Sequence, residues 1–146
     1  MNNLNFLVDH IGASQMAFSL LRKSQHFKNP TTIFCDRIRT PCLQPMVPVM
    51  QIIEAWGQNG ISIATSVDMA DRLLSFPCAN KRFFYVWDMS WMDDNRKFIN
   101  LSHIFRGIEI IARSEYHAKL IGNNFNVNVN HICDNFEIDN ILKELG

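Results

Sequence analysis

Short, nearly unbroken apolar runs alternate along this chain with longer stretches in which apolar residues return every three or four positions. The first pattern suits strands covered on both faces, the second suits helices with one buried side. The alternation is clearest between Ile108 and Leu142, which reads as strand, helix, strand, helix. Ile108, Ile110, Ile111 and Ala112 make a run too short for a helix. Arg113 and Ser114 break it where a helix would start: Ser114 can accept a hydrogen bond from a first-turn N–H, and Glu115 suits the positive end of the helix dipole. His117, Leu120 and Ile121 give that helix one apolar-leaning face, and Gly122 is expected to stop it.

The same rhythm extends back to the start. Asn5 to Val8 is an apolar run, followed by Asp9, His10, Ile11 and Gly12 and then a helical pattern with Met16, Ala17, Leu20 and Leu21 on one face. Lys23 to Pro30 reads as a polar connection, and Thr31 to Cys35 as a second strand ended by Asp36. Pro41, Pro45 and Pro48 exclude a regular helix across 37–48 but suit the first turn of one, so Met46, Val49, Met50, Ile53 and Trp56 predict a helix closed by Gly57 and Gly60. Ile61 to Ala64 is a strand. Thr65 or Ser66 caps a helix with Val67, Ala70, Leu73 and Leu74 inward, ended by Pro77. Phe83 to Trp87 is an aromatic strand, Asp88 to Lys97 has no period, and a short helix spans about Ile99 to Phe105. A last strand near His131 precedes a helix with Ile138, Ile141, Leu142 and Leu145 on one face. Six strands alternating with helices predict an α/β fold: a single doubly wound, mostly parallel six-stranded sheet with helices on both faces, over residues 1–146 as one domain.

Composition narrows the class. A chain of 146 residues, 47% hydrophobic and 19% charged, can bury a core without metal or disulfide staples. It has no apolar stretch long enough for a membrane span, and Met1 to Asn5 lacks the basic charge of a signal segment, so a soluble cytoplasmic protein is expected. The formal net charge is zero, without the positive field that makes nucleic acid a partner. Cys35, Cys42, Cys78 and Cys133 form no C-x-x-C pair and have no histidines at zinc spacing, so reduced thiols and no bound metal are expected.

Parallel sheets place ligands where the strands end. That rim would collect Asp9, His10, Asp36, Thr65, Ser66, Asp88, Arg113, Ser114, Asp134 and Asn135, with helices starting at Gly12, Ser66 and Ser114 turning free N–H groups toward an anion. His10 and Asp88 directly follow strands and are the candidates for acid or base catalysis. Asp, Ser and Asn are also the ordinary capping residues at such places. The segment WDMSWM at 87–92 offers Trp91 for stacking on a sugar or base, or for packing and protein contact. DHIGAS at 9–14 has one glycine where a dinucleotide turn needs three, and no Walker A sequence occurs, so no cofactor is expected.

Three places resemble the N-terminal half of the GT-B retaining glycosyltransferases: Gly12-Ala13-Ser14 running into a helix, IIARSEYHAKLI at 110–121, and HICDNFEIDNI at 131–141. The resemblance implies a Rossmann-like domain of the acceptor side, with the acceptor near Gly12, Asp88 and Trp91, Ser14 in the turn that family makes glycine-rich, and Arg113 or Ser114 near the phosphates of a sugar nucleotide. Where the family commonly has a histidine ahead of an aspartate, this chain has Trp87 and Asp88. The family's donor domain would begin where this chain ends, at Gly146, so the resemblance further implies a partner chain or homodimer that rebuilds the cleft. The alternative is a non-catalytic interaction protein using the Trp87 to Trp91 segment and the Pro-rich loop around Cys42.

Overall fold

The computed structural model describes residues 2–93 and 95–145. Asp94, within the aperiodic segment, and the chain end at Gly146 lie outside them. In chain order the elements are β1 (Leu4–Val8), α1 (Gln15–Ser24), β2 (Thr31–Cys35), β3 (Val49–Gln51), a 3-10 turn (Ile52–Gly57), β4 (Ile61–Ala64), α2 (Val67–Leu74), β5 (Lys81–Val86), a second 3-10 turn (Ser90–Asp93), α3 (Asn95–Gly107), β6 (Glu109–Ala112), α4 (Glu115–Phe125), β7 (His131–Ile132) and α5 (Asp139–Glu144). The seven strands lie in the order β3-β2-β1-β4-β5-β6-β7, and every neighbouring pair is parallel. The fold is α/β and Rossmann-like.

Residue alternation sorts the core into two layers. Leu7, Phe34, Ala64, Phe84 and Ile110 point to one face, where Met69, Ala70 and Leu73 of α2, Leu101, Ile104 and Phe105 of α3, and Ile121 and Phe125 of α4 cover them. Phe6, Ile33, Ile63, Tyr85 and Ile111 point to the other, under Ala17, Leu20 and Leu21 of α1 and Ile141 and Leu142 of α5. A sheet covered twice needs strands that are apolar at nearly every position, and all five residues of β1 are buried, the one polar residue, Asn5, donating to the Asn59 carbonyl at 3.0 Å. Burial pushes the Cys35 thiol up to about 11. Burial, reinforced by the nearby Asp134 and Glu137 carboxylates, pushes Cys133 up to about 12, while Cys42 and Cys78 are exposed. No helix among the described residues is long and apolar enough to cross a membrane.

The structure corrects the sequence expectation in four places. There are seven strands instead of six, because Val49–Gln51 pairs with β2 as an edge strand and is followed by a 3-10 turn instead of continuing as a helix. Pro48 helps set this register: its carbonyl accepts the Ile33 N–H at 3.0 Å. The helix-like spacing misled because all five residues carrying it (Met46, Val49, Met50, Ile53 and Trp56) are exposed and bury no helical stripe. The first helix begins at Gln15 with Ser14 as its cap, so Gly12 lies in the preceding turn. Gly122 does not end α4, which runs on to Phe125 and is closed by the left-handed Asn126. A Cβ on Gly122 would lie 3.2 Å from the Val127 carbonyl, so glycine serves the close return of the chain. Finally, the helix expected at 99–105 spans Asn95–Gly107, preceded by the 3-10 turn Ser90–Asp93.

Candidate functional site

Strand order reverses between β1 and β4, and the loops leaving these strands part there to open a crevice. Serines fix its borders. Ser14, Ser66 and Ser114 each accept the N–H three residues ahead, at 3.1, 3.2 and 3.1 Å, so α1, α2 and α4 all begin at the same rim. The Thr65 hydroxyl donates to the Leu7 carbonyl at 3.0 Å, and the Ser66 hydroxyl donates to Asp9 Oδ1 at 3.2 Å. These bonds tie the end of β4 to the end of β1 and hold one Asp9 oxygen in place.

The resulting crevice has a volume of about 290 Å³ and brings together His10, Ser14, Asp88 and Trp91 from the sequence candidates, with Asp9 and Ser66 beside them. His10 Nδ1 accepts the Gly12 N–H at 3.0 Å, so that nitrogen carries no proton and the neutral ring bears its hydrogen on Nε2. In this tautomer His10 presents a donor. Asp88 Oδ1 accepts the Ser90 hydroxyl at 2.8 Å and the Ser90 N–H at 3.3 Å, which leaves Oδ2 as the oxygen of this exposed carboxylate without a partner among the described residues. Trp91 is only 4% exposed and packs on Phe105 and Phe125 at 5.9 and 5.5 Å. Its buried indole N–H has no partner among the described residues.

A second, larger cavity of about 740 Å³ runs along α1 and shares Ser14 and Trp87 with the crevice. Arg113 belongs to it. The Arg113 guanidinium lies 3.7 Å from the Trp87 ring centre, while Nε donates to Asp134 Oδ1 at 2.7 Å and an Nη to the Trp87 carbonyl at 3.1 Å. Partial burial works to raise the Asp134 carboxyl, but hydrogen bonds from Arg113 and the Asn135 N–H outweigh it and hold the group below the usual carboxylate value. Trp87 also lies nearly parallel to Phe136, at 5.6 Å and 14°. The Tyr85 hydroxyl donates to the Cys133 carbonyl and accepts the Phe136 N–H; burial raises its pKa, so it stays protonated.

Gly12 and Ser114 line neither cavity. Gly12 is buried where a Cβ would meet Arg39 at 3.2 Å and His10 Nδ1 at 3.3 Å, so its role is close packing of the turn. The candidate residues that sequence reasoning left out are Asp9 and Ser66, placed on the rim but passed over as caps, and Arg22, Lys23 and His26 of the second cavity. A signal for Arg22 and His26 existed: Ser14, Phe18, Arg22 and His26 recur every four residues. Asp36 is occupied by Arg72 at 2.7 Å, and among the described residues no group of His, Cys, Asp or Glu is arranged to hold a metal ion. No family model matches the chain, and no curated protein or solved structure shows significant similarity to it.

Proposed function

We propose that the rim crevice holds a hydroxyl-rich acceptor and that the chain serves as the acceptor-side half of a glycosyl transfer from a sugar nucleotide, completed by a partner chain or a second copy. The observation that carries this reading is the presence of three carboxylates, Asp9, Asp68 and Asp88, in one crevice where the strand order reverses. Carboxylates accept from hydroxyl groups, and the His10 Nε2–H supplies a donor beside them. Asp88 Oδ2 takes the proton of the attacking hydroxyl as its oxygen bonds to the anomeric carbon and the nucleoside diphosphate departs. His10 and Asp9 orient the acceptor. Losing such a base costs roughly 100-fold or more in rate. A transfer assay over sugar nucleotides and sugar acceptors, with and without candidate partner chains, is expected to show turnover that Asp88→Asn reduces by about that factor at an unchanged melting temperature. Silence in every combination, or full activity in the variant, would refute the transferase reading.

A second reading, an interaction protein, is favoured by the exposed apolar residues of the Pro-rich loop and of the 3-10 turn after the edge strand: Ile38 (79% exposed), Ile53 (76%), Met46 (68%) and Trp56 (52%). Trp91 cannot contribute, being buried. A second copy of the chain is the occupant that charge favours, because Arg37, Arg39 and Glu54 surround one recess of about 460 Å³, and a two-fold axis can set unlike charges opposite each other. Sedimentation equilibrium is expected to show a concentration-dependent dimer that Ile53→Asp converts to monomer without lowering the melting temperature. A wild-type protein that is monomeric throughout would remove this reading.

A further inference from the structure

We infer that the groove along α1 is a binding site for a linear condensed phosphate, either free or as the phosphate tail of a nucleotide. Nothing in this inference rests on the acceptor reading of the crevice. The groove carries Arg22, Lys23 and Arg113 against a single carboxylate, Glu137, with His26 at its far end. In a chain of zero net charge, this is a local concentration of positive charge inside a cavity of ligand size.

The pairing pattern of the cations distinguishes this groove from an ordinary solvated helix face. Other arginines of the rim are matched: Arg72, outside the groove, by Asp36, and Arg113, on the groove wall, by Asp134, both at 2.7 Å. Arg22 and Lys23 have no ion-pair partner among the described residues, and both stand on the groove wall. Cations in a last helical turn do complement the helix dipole, which accounts for their presence in α1. It does not account for the opposite wall, where Arg113 is braced by Trp87 and Asp134 and still has N–H donors without a partner among the described residues. From the Ser14 cap to Ser24 at the end of α1 the helix rise is about 15 Å, long enough for a chain of phosphates and a ring. Phe18, midway and 46% exposed, offers a face to such a ring. The geometry suits an extended anion held by charge-assisted bonds from two walls, with arginine matching two phosphate oxygens at once.

Titration calorimetry on the full chain with inorganic triphosphate, a nucleoside triphosphate and the corresponding uncharged nucleoside tests the site. Both phosphates are expected to bind, less tightly as salt rises, and the nucleoside alone is expected not to. Arg22→Gln combined with Lys23→Gln should weaken both at least about tenfold while the melting temperature of the free protein stays constant, since neither side chain belongs to the core. Tighter binding of the nucleotide, reduced by Phe18→Ala to the level of inorganic triphosphate, identifies a nucleotide as the source; equal binding identifies free condensed phosphate. Absence of heat with both phosphates, or affinity that survives the double substitution, overturns the inference. Asp88→Asn is expected to leave this binding unchanged, which separates failure of the groove from failure of the crevice.

Discussion

Phe136→Ala is expected to lower the unfolding free energy by about 3–5 kcal/mol, the usual cost of emptying a buried aromatic site. Phe136 is fully buried at the meeting point of three other rings. It stacks on Tyr85 at 4.4 Å and on Trp87 at 5.6 Å, and meets the edge of Phe6 at 5.9 Å. Its backbone has φ 57, beside Asn135 at φ 49, a left-handed pair that a bulky residue adopts only when its surroundings enforce it. The ring supplies that enforcement, together with the N–H bond to the Tyr85 hydroxyl at 3.2 Å. Alanine would keep the unfavourable backbone and lose the packing. Chemical denaturation of the wild type and variant measures the difference; a loss below about 1 kcal/mol would show that the ring cluster does not anchor this loop. Trp87 would also lose its parallel neighbour, so Arg113 and the groove wall should loosen in the folded fraction.

Gly60→Ala is expected to cost about 2–4 kcal/mol, because the substitution combines a forbidden backbone with a backbone clash. Gly60 has φ +104, and a Cβ there would lie 2.5 Å from the Asn3 carbonyl oxygen. Neither side can yield easily. The Asn3 carbonyl already accepts the Ile61 N–H at 2.8 Å. Gly60 itself donates to Asn80 Oδ1 at 2.6 Å, and its carbonyl accepts from Asn80 and Lys81 at 3.0 and 3.3 Å. Relief would have to break the junction where β1, β4 and β5 start. Gly57→Ala is the matched control, since a Cβ at Gly57 meets nothing within 4 Å, and it should stay within about 0.5 kcal/mol of wild type. Equal denaturation midpoints for the two variants would contradict the packing described for this turn.

These two residues also mark where sequence reading stops. Strands β1, β2, β4, β5 and β6 were legible because burial on both faces requires near-continuous apolar runs, and the Ser66 and Ser114 caps because capping leaves a small polar residue at a strand's end. β3 was not. Its apolar residues fall at helical spacing by position alone, and only pairing with β2, which no local pattern encodes, makes the segment a strand. The rim could be assembled in outline from parallel strands and right-handed crossovers. Which rim side chains are spent on structure could not: Thr65 is engaged by the Leu7 carbonyl and Asp36 by Arg72, partners far away in sequence, and Trp91 turns inward on rings from α3 and α4. The groove escaped notice because Arg22 and Lys23 belong to one helix while its second wall, with Arg113, comes from residues far along the chain.

The uneven burial of the cysteines gives the molecule two addresses for a reporter dye. Buried Cys35 and half-buried Cys133, whose pKa values desolvation raises to about 11 and about 12, are expected to react slowly with maleimides near neutrality, whereas exposed Cys42 and Cys78 remain open to reaction. Cys42 is pinned by its N–H to the Ile11 carbonyl at the end of the sheet where β1 finishes, and Cys78 sits just ahead of β5, at the end where strands begin. A donor and acceptor fluorophore on these two sulfurs would span the long direction of the strands, a molecular ruler in place without a single change to the core.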